Sequence, residues 1–265
     1  MRIFIALVLL FIQYSSFGQN TVYRTINDVP YTTREDAYSK EKNKLDFCFP
    51  QGKKDFVTLV WFHGGGLTGG DKELPQYLLD KGIAVIGVGY RLSPNVKVAE
   101  IIDDAADAVK WAFDHVEKYG GSKHKIIIGG HSAGAYLALM VGLNASYLDK
   151  RNVKANDLMG IAALSGQAIT HYTARSEVGI AGLQPTINEL APLFWVRKDA
   201  PKILLITGDR ELELMGRYEE NAYLMRMLQL NGHQDVELYE LAGYGHDMTY
   251  PAFPIVINTL NKWSK

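Results

Sequence analysis

An α/β fold with a doubly wound, mostly parallel sheet and helices on both faces is what this sequence predicts, and three observations carry the prediction. Short runs such as Phe56-Val57-Thr58-Leu59-Val60-Trp61-Phe62 and Ile83-Ala84-Val85-Ile86-Gly87-Val88 are almost continuously apolar. A strand of that kind needs cover on both faces, and parallel sheets obtain it from their crossover helices. Segments of helical periodicity fall between these runs over the whole chain, which is the pattern of right-handed crossovers. The first two strand-like segments alternate polar with apolar residues and look like a leading hairpin, so antiparallel strands are expected at the N-terminal edge.

The chain begins Met1-Arg2, runs apolar from Ile3 to Ile12, and reaches the small residues Ser16 and Gly18 before Gln19. One positive charge, a short apolar core and small residues read as a secretory signal peptide over 1–18. The mature domain is then 19–265, secreted or periplasmic. The apolar run is short for a bilayer span and no cysteine follows it, so no stable membrane anchor is expected.

Alternation over Thr21–Thr33 and again over Asn43–Phe49 predicts a leading hairpin, with Glu35–Lys44 too polar to be buried. Between Ala99 and Tyr119 the residues Ile102, Ala105, Val109, Phe113 and Val116 recur at helical spacing, and Gly120-Gly121 ends the helix. Lys125–Gly130 is a β-branched run, and Ala133 onward is Ala-, Leu- and Met-rich, so a strand gives way to a helix there. Further strands are expected at Leu158–Leu164, Lys202–Thr207 and Val236–Leu241, with helices at Arg217–Leu230 and Pro254–Trp263. The stretch 166–200 breaks the rhythm and reads as an irregular, lid-like insertion after a strand's C-terminal end, where α/β proteins bind ligands. Within it Tyr172, Leu183, Phe194 and Trp195 are candidate pocket walls.

The chain has 265 residues, 47% of them apolar and 22% charged, with a formal net charge of −1. It carries no basic excess for nucleic acid, so a small-molecule partner is expected. A single cysteine, Cys48, excludes an intrachain disulfide, and no CxxC or HExxH spacing suggests a metal. No cofactor and no metal is expected. Composition leaves the oligomeric state open.

The chemistry is concentrated at three strand ends. Gly130-His131-Ser132-Ala133-Gly134 is a G-x-S-x-G at a strand-to-helix junction, which sets a serine on a strained, exposed turn as a nucleophile. His63-Gly64-Gly65-Gly66 follows the strand ending at Phe62. Glycines there let backbone N–H groups face a ligand, so Gly65 and Gly66, with the N–H of Ala133, are the candidate oxyanion hole. A serine hydroxyl needs a base, and His246 lies on a glycine-rich loop after the last strand; His171 and His233 compete by position. The base needs a carboxylate to orient it. Asp209 and Glu211 both follow the strand Lys202–Thr207. Glu211 is favoured and Asp209 stays open; Leu212 and Leu214 are expected to pack inward, leaving Glu213 in solvent.

Taken together, His63-Gly64-Gly65-Gly66, Gly89-Tyr90-Arg91-Leu92-Ser93-Pro94, Asp103-Asp104-Ala105, Gly130-His131-Ser132-Ala133-Gly134 and Tyr244-Gly245-His246 resemble the α/β-hydrolase serine esterases. The resemblance is to the branch of hormone-sensitive-lipase-like and acetyl (carbohydrate) esterases, related to kynurenine-formamidase-like enzymes. It implies a cofactor-free carboxylesterase-type serine hydrolase with Ser132, Glu211 and His246 as its triad, and Tyr90-Arg91-Leu92 opening a loop under the site. Small acyl esters are implied, among them acetylated or feruloylated saccharides. Amide hydrolysis of formamidase or peptidase-like type, and an inactive binding protein of the same fold, are the alternatives. Leu67, where an aromatic is frequent, and Glu211, where aspartate is usual, depart from the pattern.

Overall fold

The computed structural model describes residues 21–265; the leader expected at 1–18 lies outside the described residues. Eight strands form one sheet: β1 (Tyr23–Pro30), β2 (Lys44–Pro50), β3 (Phe56–Phe62), β4 (Ala84–Val88), β5 (Gly121–His131), β6 (Gly160–Leu164), β7 (Lys202–Gly208) and β8 (Val236–Leu241), in the order β1-β2-β4-β3-β5-β6-β7-β8. β2 runs antiparallel to both β1 and β4, and every pairing from β4 through β3 to β8 is parallel. The helices are α1 (Ala37–Lys42), α2 (Val98–His115), α3 (Ala133–Leu143), α4 (Ser146–Asp149), α5 (Tyr172–Ser176), α6 (Arg217–Leu230) and α7 (Thr249–Trp263).

Strand β3 shows why the sheet needs two layers of cover. Its side chains alternate between faces. Val60 and Phe62 join the core built with α2, α3 and α6, whereas Val57, Leu59 and Trp61 join the core under α7. All seven residues are buried. Helix α3 is buried along its whole length, which explains why its sequence is apolar on all sides instead of amphipathic.

Several element ends shift by a few residues from expectation, and two differences have a clear local cause. The polar stretch before β2 contains α1, because Asp36 accepts the Ser39 N–H at 2.8 Å as an N-cap and Ser39 turns inward. The last helix starts at Thr249, with Pro254 inside it; Pro251 falls in its first turn, where a missing N–H costs nothing. Asp104, within the acidic pair of α2, is fully buried and accepts hydrogen bonds from Arg91 Nε and Nη2, both at 2.8 Å, and from Arg34 Nη1 at 2.9 Å. It anchors the Tyr90-Arg91-Leu92 loop.

Candidate active site

The C-terminal ends of the parallel strands bring together three loops. The first is the elbow between β5 and α3, where Ser132 has φ 56° and ψ −117°, a backbone conformation that costs a non-glycine residue energy. The flanking glycines are required by contact. A Cβ on Gly134 would sit 1.9 Å from the Phe62 carbonyl oxygen, and one on Gly130 would sit 2.5 Å from both that oxygen and the Gly134 carbonyl carbon. The Ser132 N–H bonds the Leu164 carbonyl at 2.8 Å, tying the elbow to β6.

The second loop is the glycine run after β3. His63 is its foundation: its ring stacks on Tyr90 at 4.1 Å, the Tyr90 hydroxyl donates to the His63 carbonyl at 2.7 Å, and His63 Nδ1 lies 2.6 Å from the Gly64 carbonyl. Burial holds the His63 pKa below its usual value. Gly65 and Gly66 have φ 107° and 65°. A Cβ on Gly65 would meet the Gly69 carbonyl at 2.2 Å, and one on Gly66 the Tyr172 hydroxyl at 2.0 Å. The run passes beside the elbow, for a Cβ on Gly64 would be 3.6 Å from the Ser132 Cβ. Ala133 opens α3, so its N–H has no acceptor within the helix.

The third loop carries His246. Its Nε2 lies 2.9 Å from Ser132 Oγ and its Nδ1 lies 2.6 Å from Glu213 Oε1. Burial raises the Glu213 pKa, but bonds from His246, Leu214 N–H and Gly208 N–H outweigh it and bring the value to about 2. An ionised carboxylate only accepts, so Nδ1 carries the hydrogen and Nε2 is left free to accept from the Ser132 hydroxyl. That tautomer is the one a general base needs.

The carboxylate in this chain of bonds is therefore Glu213, and the expectation for Glu211 is corrected. After β7 the backbone makes one tight turn: the N–H groups of Leu212 and Glu213 bond the Asp209 carbonyl at 2.9 and 2.8 Å. The turn returns Glu213 to the strand end, where its Oε2 accepts the Gly208 N–H at 2.9 Å. Glu211 is exposed on the outside of the turn. Asp209 spans the loop instead, accepting the Glu211 N–H at 3.0 Å and the Gly243 N–H at 2.9 Å. Leu212 and Leu214 are 57% and 41% exposed, which inverts the expected facing of this segment.

The two competing histidines, His171 and His233, are engaged elsewhere, whereas His131 Nε2 lies 2.8 Å from the His246 carbonyl. His171 is buried and its Nδ1 accepts the Thr173 N–H at 3.2 Å, while His233 Nδ1 lies 3.2 Å from the Lys198 carbonyl. Ser165, unmarked in the sequence reading, places its Oγ 3.0 Å from His246 Nδ1. The stretch 166–200 is pinned to the body by Thr173 Oγ1 on the Gly66 carbonyl at 2.6 Å and by the Tyr136 hydroxyl on the Leu190 carbonyl at 2.7 Å. Of its four aromatic and aliphatic candidates, Tyr172 reaches the glycine loop, whereas Leu183 and Phe194 are mostly exposed and Trp195 Nε1 bonds the Glu189 carbonyl. Two clefts adjoin the loops. One of about 600 Å³ is lined by Gly64, His131, Tyr77 and Asp247; the other, of about 410 Å³, by Thr68, Ser93, Lys97 and Tyr172. Among the described residues no cluster of His, Cys, Asp or Glu has the arrangement of a metal site.

The strand order, the parallel crossovers and the serine elbow define an α/β-hydrolase fold. The chain belongs to the BD-FAE family, whose model matches residues 45–215. Among curated relatives, the probable isoprenylcysteine alpha-carbonyl methylesterase ICMEL1 of Oryza sativa is 22% identical over 227 residues, covering 75% of this chain and 53% of the relative. Esterase LipC of Mycobacterium tuberculosis is 26% identical over 234 residues, covering 73% and 55%. The chain spans about half the length of these relatives, and 18% of the phenmedipham hydrolase of Pseudarthrobacter oxydans, which it also matches. A solved truncated carbohydrate esterase from gut microbiota superposes with TM-score 0.76 at 18% identity, covering 93% of this chain and 98% of that one; at that identity the likeness concerns the fold.

Proposed function

We propose that this protein is a serine-dependent carboxylic ester hydrolase, and the Ser132–His246–Glu213 chain of hydrogen bonds is the observation that carries the reading. Ser132 Oγ attacks the ester carbonyl as His246 Nε2 takes its proton. Glu213 stabilises the imidazolium that forms. The negative oxygen of the tetrahedral intermediate is received by the N–H groups of Gly65, Gly66 and Ala133. His246 then returns the proton to the leaving alcohol, the acyl group stays on Ser132, and water repeats the sequence to release the acid. No step requires a cofactor.

Small acyl esters are the proposed substrates, with acetylated or feruloylated saccharides as the class of first interest. Support for the saccharide comes from the carbohydrate esterase similar in fold and from the hydroxyl-bearing side chains Thr68, Ser93 and Tyr172 among those lining the cleft. The sequence of residues 1–18 supports an exported protein beginning at Gln19, which the intact mass of secreted material tests. The enzymatic reading is tested with p-nitrophenyl acetate, acetylated and feruloylated saccharides and matched amides, using wild type and Ser132→Ala. Ester turnover by wild type alone is expected, with a serine-directed phosphonate labelling wild type only. Turnover by Ser132→Ala above a few per cent of wild type sinks the nucleophile assignment, and preference for the amides sinks the ester reading.

A further inference from the structure

Resting on the hydrolase reading, we infer that Ser165 is a positioning residue that holds the His246 ring together with Glu213. Nδ1 has one hydrogen to give. Glu213 Oε1 stands 2.6 Å from it and Ser165 Oγ 3.0 Å, so the N–H lies between a carboxylate and a hydroxyl oxygen. One acceptor fixes a point about which an imidazole can rock. Two acceptors fix its direction, and the direction of Nδ1–H sets where Nε2 points.

Ser165 is itself held from every side. It stands at the end of β6 with φ 53°, its N–H bonds the Ile206 carbonyl at 2.7 Å, and its carbonyl accepts Arg217 Nη1 at 2.7 Å. Arg217 is fully buried. The next carbonyl, that of Gly166, accepts Asn221 Nδ2 at 2.8 Å, and a Cβ on Gly166 would press on the Ala135 Cβ at 3.0 Å. Helices α3 and α6 thus clamp this turn between them. Among the described residues, the Ser165 hydroxyl has its hydrogen bond with His246 and no other. A fully buried hydroxyl needs a partner, and this one's partner is the base.

The effect of the hydroxyl is on turnover. The imidazolium formed in the transition state is a stronger donor than the neutral ring, so the second acceptor counts more there than in the ground state. Losing a hydrogen bond to a charged group corresponds to about 10- to 100-fold in rate. The test uses Ser165→Ala and Ser165→Gly, the latter tolerating the positive φ without strain. Melting curves establish that both fold. With p-nitrophenyl acetate, kcat is expected to fall about 10- to 100-fold in both while KM stays within about twofold. The low-field proton resonance of the His246–Glu213 pair is expected to move. A kcat within about threefold of wild type in a folded variant, or an unmoved resonance, overturns the inference. A wild-type protein that turns over no ester sinks the hydrolase reading instead, and the resonance comparison still decides whether Ser165 holds the ring.

Discussion

The turn after β5 and the turn after β7 each deliver one member of the bonded triad, and they do so under opposite constraints. Around Ser132 the backbone is packed so closely that a methyl group at Gly134 has no place to go. Around Glu213 the chain is open. Leu212, Leu214 and Met215 are exposed, and a Cβ on Gly216 would find its nearest neighbour at 3.9 Å, the mobile end of Glu219. In the elbow, sterics dictate residue identity. In the acid loop, side-chain length and one hydrogen-bonded turn decide which carboxylate arrives.

The sharpest way to break this comparison is to neutralise the acids one at a time. Glu213→Gln keeps the shape but offers an amide where the Nδ1–H needs an anion, so kcat is expected to fall about 10⁴-fold. Glu211→Gln should stay within about twofold of wild type, because Glu211 points to solvent and its side chain accepts nothing in this site. Steady-state kinetics on one ester measure both. A large loss at Glu211 would mean that the acid loop rearranges in the working enzyme.

How much could be read beforehand follows from the same contrast. β3, α6 and β8 have the bounds that their residue patterns predict, since apolar runs and helical spacing are local signals. The tight turn at Ser132 and the close packing at Gly65 and Gly66 were legible because close approach demands glycine at set offsets. The acid was not. Favouring Glu211 assumes an extended exit from the strand, whereas the Glu213 N–H bonds back to the Asp209 carbonyl at 2.8 Å and places Glu213, two residues further on, beside the strand end. The apolar Leu212 and Leu214 suggested a loop facing inward, and no single-sequence signal reverses that. Ser165 was invisible for a related reason: it follows β6 by one residue, and only the pairing of β6 with β5 and β7 brings it under His246.

A second test compares glycines across the two turns. Gly134→Ala must drive β3 and α3 apart, because the new methyl would overlap the Phe62 carbonyl oxygen at 1.9 Å. A loss of about 3 kcal/mol of stability is expected. Gly216→Ala at φ −101° meets nothing nearer than the Glu219 carboxylate at 3.9 Å and should change stability by less than about 1 kcal/mol. Urea unfolding of both variants gives the comparison directly. Equal losses would remove the steric distinction.

The low pKa of Glu213 supplies a third, smaller effect, and its sign is fixed by linkage. A carboxylate whose pKa is lowered from 4.5 to about 2 on folding stabilises the fold above pH 4.5. That stabilisation is lost as pH falls from 4.5 toward 2. Melting temperatures should therefore drop more steeply over this window in wild type than in Glu213→Gln, which has no proton to bind there. Parallel slopes would show that Glu213 is not ionised against its neighbours in the folded protein.

The smallest effect expected is that of Asp209→Asn, and it bears on how the two loops around His246 are held together. Asp209 accepts the Gly243 N–H through Oδ2 and the Glu211 N–H through Oδ1, and these bonds, Gly243 first, lower its pKa. Asparagine keeps one acceptor oxygen, so one of the two N–H groups loses its partner. Both contacts are exposed, and water takes the vacated position at little cost. The backbone link from the Asp209 N–H to the Tyr244 carbonyl, 2.7 Å long, is untouched and keeps the His246 loop against the end of β7. The acid loop then retains its turn, Glu213 retains His246, and kcat should fall by no more than about fivefold, measured beside Glu213→Gln on the same ester. A loss of about 10³-fold or more would make Asp209 the partner of His246 during turnover, and the open turn after β7 would then be as tightly specified as the elbow after β5.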